Sequence, residues 1–326
     1  AWTIQFGGKE SGWAYAVAAR DSDHVVVAGE SNSSTDSVSN DAFVRKYTPD
    51  VAPTAKDFRL AARAPGADGP EPSQVVGSFS EAGSIRPVFG PHTTALMADG
   101  RVIVIGGHGR PRVWAPETGE WGKVSAPAVT RDWGQSTAVL PDGRVLIAGG
   151  ESWETSGPVL AAEVWDPETA SFAPAGSMAQ PRMEPTLTAL PDGRVLVTGD
   201  SAEAEVWDPA TASFSPAGSS TQPRTGHSVT LLLDGRVLLV GGLESSHEGI
   251  LATAEVWDPA TGTFAPAGSL SEPRLGPEAI VLPDGRILVF GGADRRREIM
   301  SAEVYDPATG SFTLAGSLIE RREMLM

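Results

Sequence analysis

Five arginines recur at similar places along the chain: Arg86, Arg131, Arg182, Arg224 and Arg274. A guanidinium group keeps its charge at any working pH and offers a planar fork of donors that matches a carboxylate. A ring of such groups on one face would suit an acidic peptide or a carboxylated sugar. Trp133, Trp153, His247 and the run Arg295-Arg296-Arg297 are further candidate contacts. The alternative for the arginines is internal: they cap neighbouring units or pair with Glu163, Glu205, Glu255 and Glu303. Glu184 and Glu278 sit close behind two of the arginines and are candidate proton donors or acceptors.

Other chemistry is poorly represented. The five histidines are His24, His92, His108, His227 and His247, and none falls in a His-Glu-x-x-His zinc motif. His92 and His227 occupy similar places in the repeat, which register explains without a metal. No Gly-x-Ser-x-Gly elbow is present. The acidic residues Asp21, Asp23, Asp36 and Asp41 fit neither an EF-hand nor a calcium-binding nonapeptide, and they read as a solvated loop. Asn32-Ser33-Ser34 is a glycosylation sequon that matters only in a eukaryotic secretory setting. With no cysteine there can be no disulfide, thiolate metal site or cysteine nucleophile. No cofactor and no catalytic residue is assigned on these grounds.

The elements that would position these residues are set by a repeat. Asp-Gly-Arg occurs at 99–101, 142–144, 192–194, 234–236 and 284–286, at spacings of 43, 50, 42 and 50 residues. Asp-Gly between two apolar runs is a hairpin signal, because glycine accepts positive φ. An apolar run ends in a glycine pair, as at Gly149-Gly150 and Gly241-Gly242; at 199–200 the pair becomes Gly199-Asp200. Ala-Glu-Val-Trp-Asp-Pro follows, then Ser-Phe-x-x-Ala-Gly-Ser, with a tight Asp-Pro turn between them. Each unit therefore holds four short strands, and no helical period is sustained. Four antiparallel strands per unit, repeated in series, define an all-β fold, a β-propeller of four-stranded blades. Trp165, Trp207, Trp257 and Tyr305 recur on third strands and Phe172, Phe214, Phe264 and Phe312 on fourth strands, as packing between blades.

The glycine pair, the later aromatics and the Pro-Arg that opens units at 181, 223 and 273 resemble the kelch repeat over 77–320. Residues 1–50 read as a divergent N-terminal blade, with strands at 14–19, 25–28 and 42–47, and resemble repeats of bacterial surface propeller proteins. Its fourth strand falls at 78–84. The Pro-, Ala- and Gly-rich stretch 51–76 reads as a loop or linker, and 321–326 as the start of a further strand or a tail. Six blades are recognisable in a single propeller over 1–326, with material at the two ends for an incomplete seventh. The resemblance implies recognition on the face where strand-2/3 loops and inter-blade connections emerge. Galactose oxidase has a kelch fold but needs a cysteine joined to tyrosine, so that activity is excluded. Sialidase boxes are missing. A sialic-acid mutarotase needs only a few polar groups over the central channel.

The net charge of −16 excludes the basic footprint of a nucleic-acid binder, and no apolar run is long enough for a membrane helix. The expectation from sequence is a non-enzymatic scaffold, extracellular or at the cell surface, that binds protein or glycan through this loop face. Two alternatives stand beside it. One is a structural module of a larger assembly, with partner subunits. The other is a carbohydrate-active propeller resembling sialic-acid mutarotase.

Overall fold

A computed structural model describes residues 92–318 except 107–109 and 245–248, with His92 as backbone alone, together with the backbone of four strands at Gly12–Asp21, His24–Asn32, Asn40–Pro49 and Gly77–Val88. The described residues are strands, turns and loops. They include no helix long and apolar enough to cross a membrane.

Among the described residues six four-stranded antiparallel sheets are present, each with its four strands neighbouring in chain order, as the repeat requires. The fold is therefore a blade-type β-propeller architecture. The first blade is made by the four strands just given, which match the expected N-terminal unit strand for strand. The second runs through His92–Leu96, Val102–Gly106, Arg112–Ala115 and Glu120–Lys123. The third uses Ser136–Val139, Val145–Ala148, Ala161–Asp166 and Ser171–Ser177. The fourth uses Thr186–Ala189, Val195–Gly199, Ser201–Asp208 and Ser213–Ser219. The fifth uses Ser228–Leu231, Val237–Val240, Thr253–Asp258 and Thr263–Ser269. The sixth uses Glu278–Val281, Ile287–Phe290, Ser301–Asp306 and Ser311–Ser317.

Contacts divide the chain into two compact units, 1–159 with 163–174, and 160–162 with 175–326. Within each unit the core lies between neighbouring sheets. In the first, Ile103 and Ile105 of the second blade pack on Val145, Ile147 and Trp165 of the third. In the second, the strand Val237–Val240 is buried on both faces. Val237 and Leu239 face Leu196, Val206 and Trp257, whereas Leu238 and Val240 face Ile287, Val289 and Tyr305. A strand enclosed on both sides reads as a continuous apolar run, because alternation appears only when one face meets water.

The recurring aromatics fill the seams as expected. Trp207 and Trp257 are 1% exposed, and each donates its indole N–H to a backbone carbonyl of the preceding blade, Ala175 O and Ala217 O, at 2.9 Å. Tyr305 takes the same place in the sixth blade, its ring 5.0 Å from that of Phe312.

Candidate functional site

The Asp-Gly-Arg turns are self-contained. In each, the aspartate accepts the arginine's backbone N–H and side-chain Nε–H, as at Asp192 with Arg194 (3.1 and 2.8 Å). Each is a partly exposed ion pair closed within its own turn.

The lead-in arginines are placed quite differently from a ligand-binding ring. Arg131, Arg182, Arg224 and Arg274 are 5%, 0%, 2% and 0% exposed. Arg224 donates to Gly241 O (3.0 Å), Thr253 O (2.9 Å), Thr253 Oγ1 (2.9 Å) and Glu255 Oε2 (3.3 Å). Arg274 repeats the set with Gly291 O, Ser301 O, Ser301 Oγ and Glu303. Arg182 reaches Gly199 O, Glu203 O and Glu205, and Arg131 reaches Glu163 Oε2 at 2.6 Å. The same glutamates accept the N–H of Ala128, Ala179, Thr221 and Ser271 at the other end of each lead-in loop. Each Arg–Glu pair thus staples its loop to its own sheet. Burial pushes the guanidinium pKa values down, and the glutamate beside each arginine opposes that push. The sequence reading of a solvent-facing ring is corrected for these four: their forks are spent inside the blades. The side chain of Arg86 and all of His247 lie outside the described residues.

Trp133 is half-buried and bridges Glu151 through its backbone. Trp153 is 60% exposed on the hairpin formed by Glu151–Ser152 and Gly157–Pro158, and its N–H is held by Asp132 Oδ2 at 2.7 Å. Glu278 opens its strand exposed.

The most unusual local chemistry lies where the fourth blade lacks a strand-2/3 loop. In the third, fifth and sixth blades a second glycine (Gly150, Gly242, Gly292) follows the second strand because the backbone there is left-handed and tightly overlaid. At Gly242 (φ 96°) a Cβ would stand 2.8 Å from Thr225 O and 2.9 Å from the His227 Cβ. Asp200 replaces that glycine, yet still adopts positive φ (59°). Such a conformation costs a non-glycine residue of the order of 1 kcal/mol, and strain of this kind concentrates at functional sites. The Asp200 carboxylate accepts the Glu184 N–H at 2.8 Å, and its own N–H reaches Arg224 O at 3.0 Å. Glu184 is thereby held beside a second carboxylate. Loss of solvation, and then the charge of Asp200, raise its carboxyl pKa above the ordinary glutamate value. A carboxyl of raised pKa beside a second carboxylate is a candidate proton donor.

His227 lies at the start of the fifth blade, 8% exposed, with Nε2 3.1 Å from Thr198 Oγ1 of the fourth blade. Its Nδ1 has no hydrogen-bond partner. Burial, helped by the charge of Arg224, pushes its pKa down to about 3, so it is a neutral imidazole at working pH.

No protein-family model matches the chain. No curated protein matches it either. Among solved structures it is similar to a fungal alcohol oxidase, described as showing catalytic diversity among the AA5 family and solved in complex with copper. That match has a TM-score of 0.69 at 21% identity and covers 97% of this chain and 68% of the oxidase. The two share a fold. The sequence expectation of a non-enzymatic binding scaffold is overturned here: it rested on the repeats, the loop lengths and the lack of a catalytic motif, and the same frame in the oxidase belongs to an enzyme.

The described residues do not fit a copper centre of their own. None of their His, Cys, Asp and Glu side chains gather in groups of three or more able to hold a metal ion. His227 is buried and engaged by Thr198, and the chain has no cysteine.

Proposed function

We propose that the chain is a carbohydrate-active propeller that moves protons on a reducing sugar, with Glu184 and Asp200 as its acid–base pair. The observation that carries this reading is the pair itself: a carboxyl of raised pKa beside a carboxylate displayed from a left-handed backbone position. The oxidase with the same fold supports an enzyme acting on hydroxyl-bearing substrates, while among the described residues the Glu184–Asp200 pair offers groups for proton transfer. The repeated glycine pairs and lead-in Pro-Arg support reading the blades as kelch-like.

The reaction that fits is anomer interconversion. One carboxylate accepts the proton of the anomeric hydroxyl while the neighbouring carboxyl donates to the ring oxygen. The C1–O bond of the ring opens to a carbonyl, C1 rotates, and the ring closes on its other face with the protons returned. Nothing is consumed, so one proton donor and one proton acceptor suffice. Exchange between anomers of neutral and carboxylated reducing sugars, followed by NMR with the full chain, tests the proposal. Acceleration that falls on substituting Glu184→Gln supports it. Peroxide formation from sugar alcohols with no effect on anomer exchange would replace it with oxidation.

A further inference from the structure

Fourth strands are the open edges of the blades, and an open edge offers unpaired N–H and C=O groups to another chain. In four described blades the fourth residue of that strand carries a device against such pairing. It is Lys123 in the second blade and Pro174, Pro216 and Pro266 in the third, fourth and fifth. Pro216 and Pro266 stand opposite Glu205 and Glu255 in the ladder. A proline survives in a strand only where its nitrogen points away from the neighbouring strand, because it has no N–H to give. The nitrogen at this position therefore faces outward, and proline removes the donor a visiting strand would need.

The sixth blade departs from the rule. Leu314 stands opposite Glu303, in the place of those prolines, and is 70% exposed. It restores the outward N–H and adds an apolar side chain. The strand Ser311–Ser317 carries no charged residue, although the chain as a whole has a net charge of −16. A second copy of the same acidic protein could meet this strand without bringing like charges together. Antiparallel pairing of the strand with itself sets Phe312 of one copy opposite Leu314 of the other, an aromatic–aliphatic pair. Such a contact is its own complement and closes as a dimer.

We infer that the edge strand Ser311–Ser317 of the sixth blade is a self-association surface, with the Leu314 N–H as its central donor. The chain supplies its own control, since Leu314→Pro recreates the strand already present three times in the fold. Sedimentation of the full chain over a concentration series should show a monomer–dimer equilibrium. Leu314→Pro should shift it to monomer with an unchanged melting temperature. Leu314→Lys, which copies the second blade, should do the same and keeps the test intact if the proline variant folds poorly. A parent chain that stays monomeric to its solubility limit overturns the inference. So does a Leu314→Lys variant that dimerises as the parent does.

Discussion

Arg274→Ala measures what the buried staples do. The guanidinium is fully buried and makes hydrogen bonds to two carbonyls, one hydroxyl and Glu303. Its removal strands the Glu303 carboxylate, itself 2% exposed, with only the Ser271 N–H still in place among those partners. Breaking a buried pair from one side costs about 3–5 kcal/mol, because the remaining charge keeps its desolvation penalty. For a chain of 326 residues that corresponds to a fall in melting temperature of roughly 4–7 °C. Calorimetry on Arg274→Ala, on Glu303→Leu and on the double variant Arg274→Met/Glu303→Leu separates the pair from its packing. The double variant should recover only part of the loss, since an apolar pair carries no desolvation penalty but leaves Gly291 O, Ser301 O and the Ser271 N–H without these partners. Sugar turnover by folded protein should be unaffected. A single variant within about 1 kcal/mol of the parent, or one that folds normally and loses only ligand binding, would return the arginines to a recognition role.

Three further outcomes follow from the same geometry. His227 has a folded pKa of about 3 against 6.5 when exposed, so below pH 6.5 the unfolded chain takes up the proton first. Its contribution to stability is present above that pH and is lost by about 1.4 kcal/mol per pH unit as pH falls, roughly 5 kcal/mol in all by pH 3. Denaturant midpoints between pH 7 and 4 should show this slope in the parent and a shallower one in His227→Gln. Asp200→Gly relieves the left-handed strain but gives up the bond to the Glu184 N–H, so the two effects should nearly offset and stability should change by less than about 1 kcal/mol, read by thermal melts. The same change removes a negative charge beside Glu184, so the Glu184 carboxyl should titrate closer to its ordinary range, as followed by carbon NMR. Sugar turnover should fall.

The blades were legible because their signals are local. Asp-Gly-Arg turns, Asp-Pro turns and apolar runs fix strand ends within a few residues, so even the divergent strands at 14–19 and 42–47 fall inside Gly12–Asp21 and Asn40–Pro49. The sequence leaves the arginines between a solvent-facing ring and internal pairs with Glu163, Glu205, Glu255 and Glu303, because exposure is not local. Arg182 meets Glu205, and Arg224 meets Glu255, only after the second and third strands return the chain to its start. The constant offset between arginine and glutamate was visible, but two readings of it were open until burial chose the internal pair. The Glu184–Asp200 site was half legible. Gly199-Asp200 stood out as a broken glycine pair and Glu184 as a candidate acid or base. What joins them is the missing loop of the fourth blade, where Gly199 pairs with Ser201 and the chain turns at once. That proximity depends on tertiary overlay, which no sequence period encodes.

The most direct test of the central claim is anomer exchange measured by NMR on freshly dissolved reducing sugars, with the parent chain and with Glu184→Gln side by side. The account expects exchange faster than the spontaneous rate with the parent, and near the spontaneous rate with a variant that melts at the same temperature. A parent chain that leaves every sugar at its spontaneous rate, or a Glu184→Gln variant as fast as the parent, would contradict it.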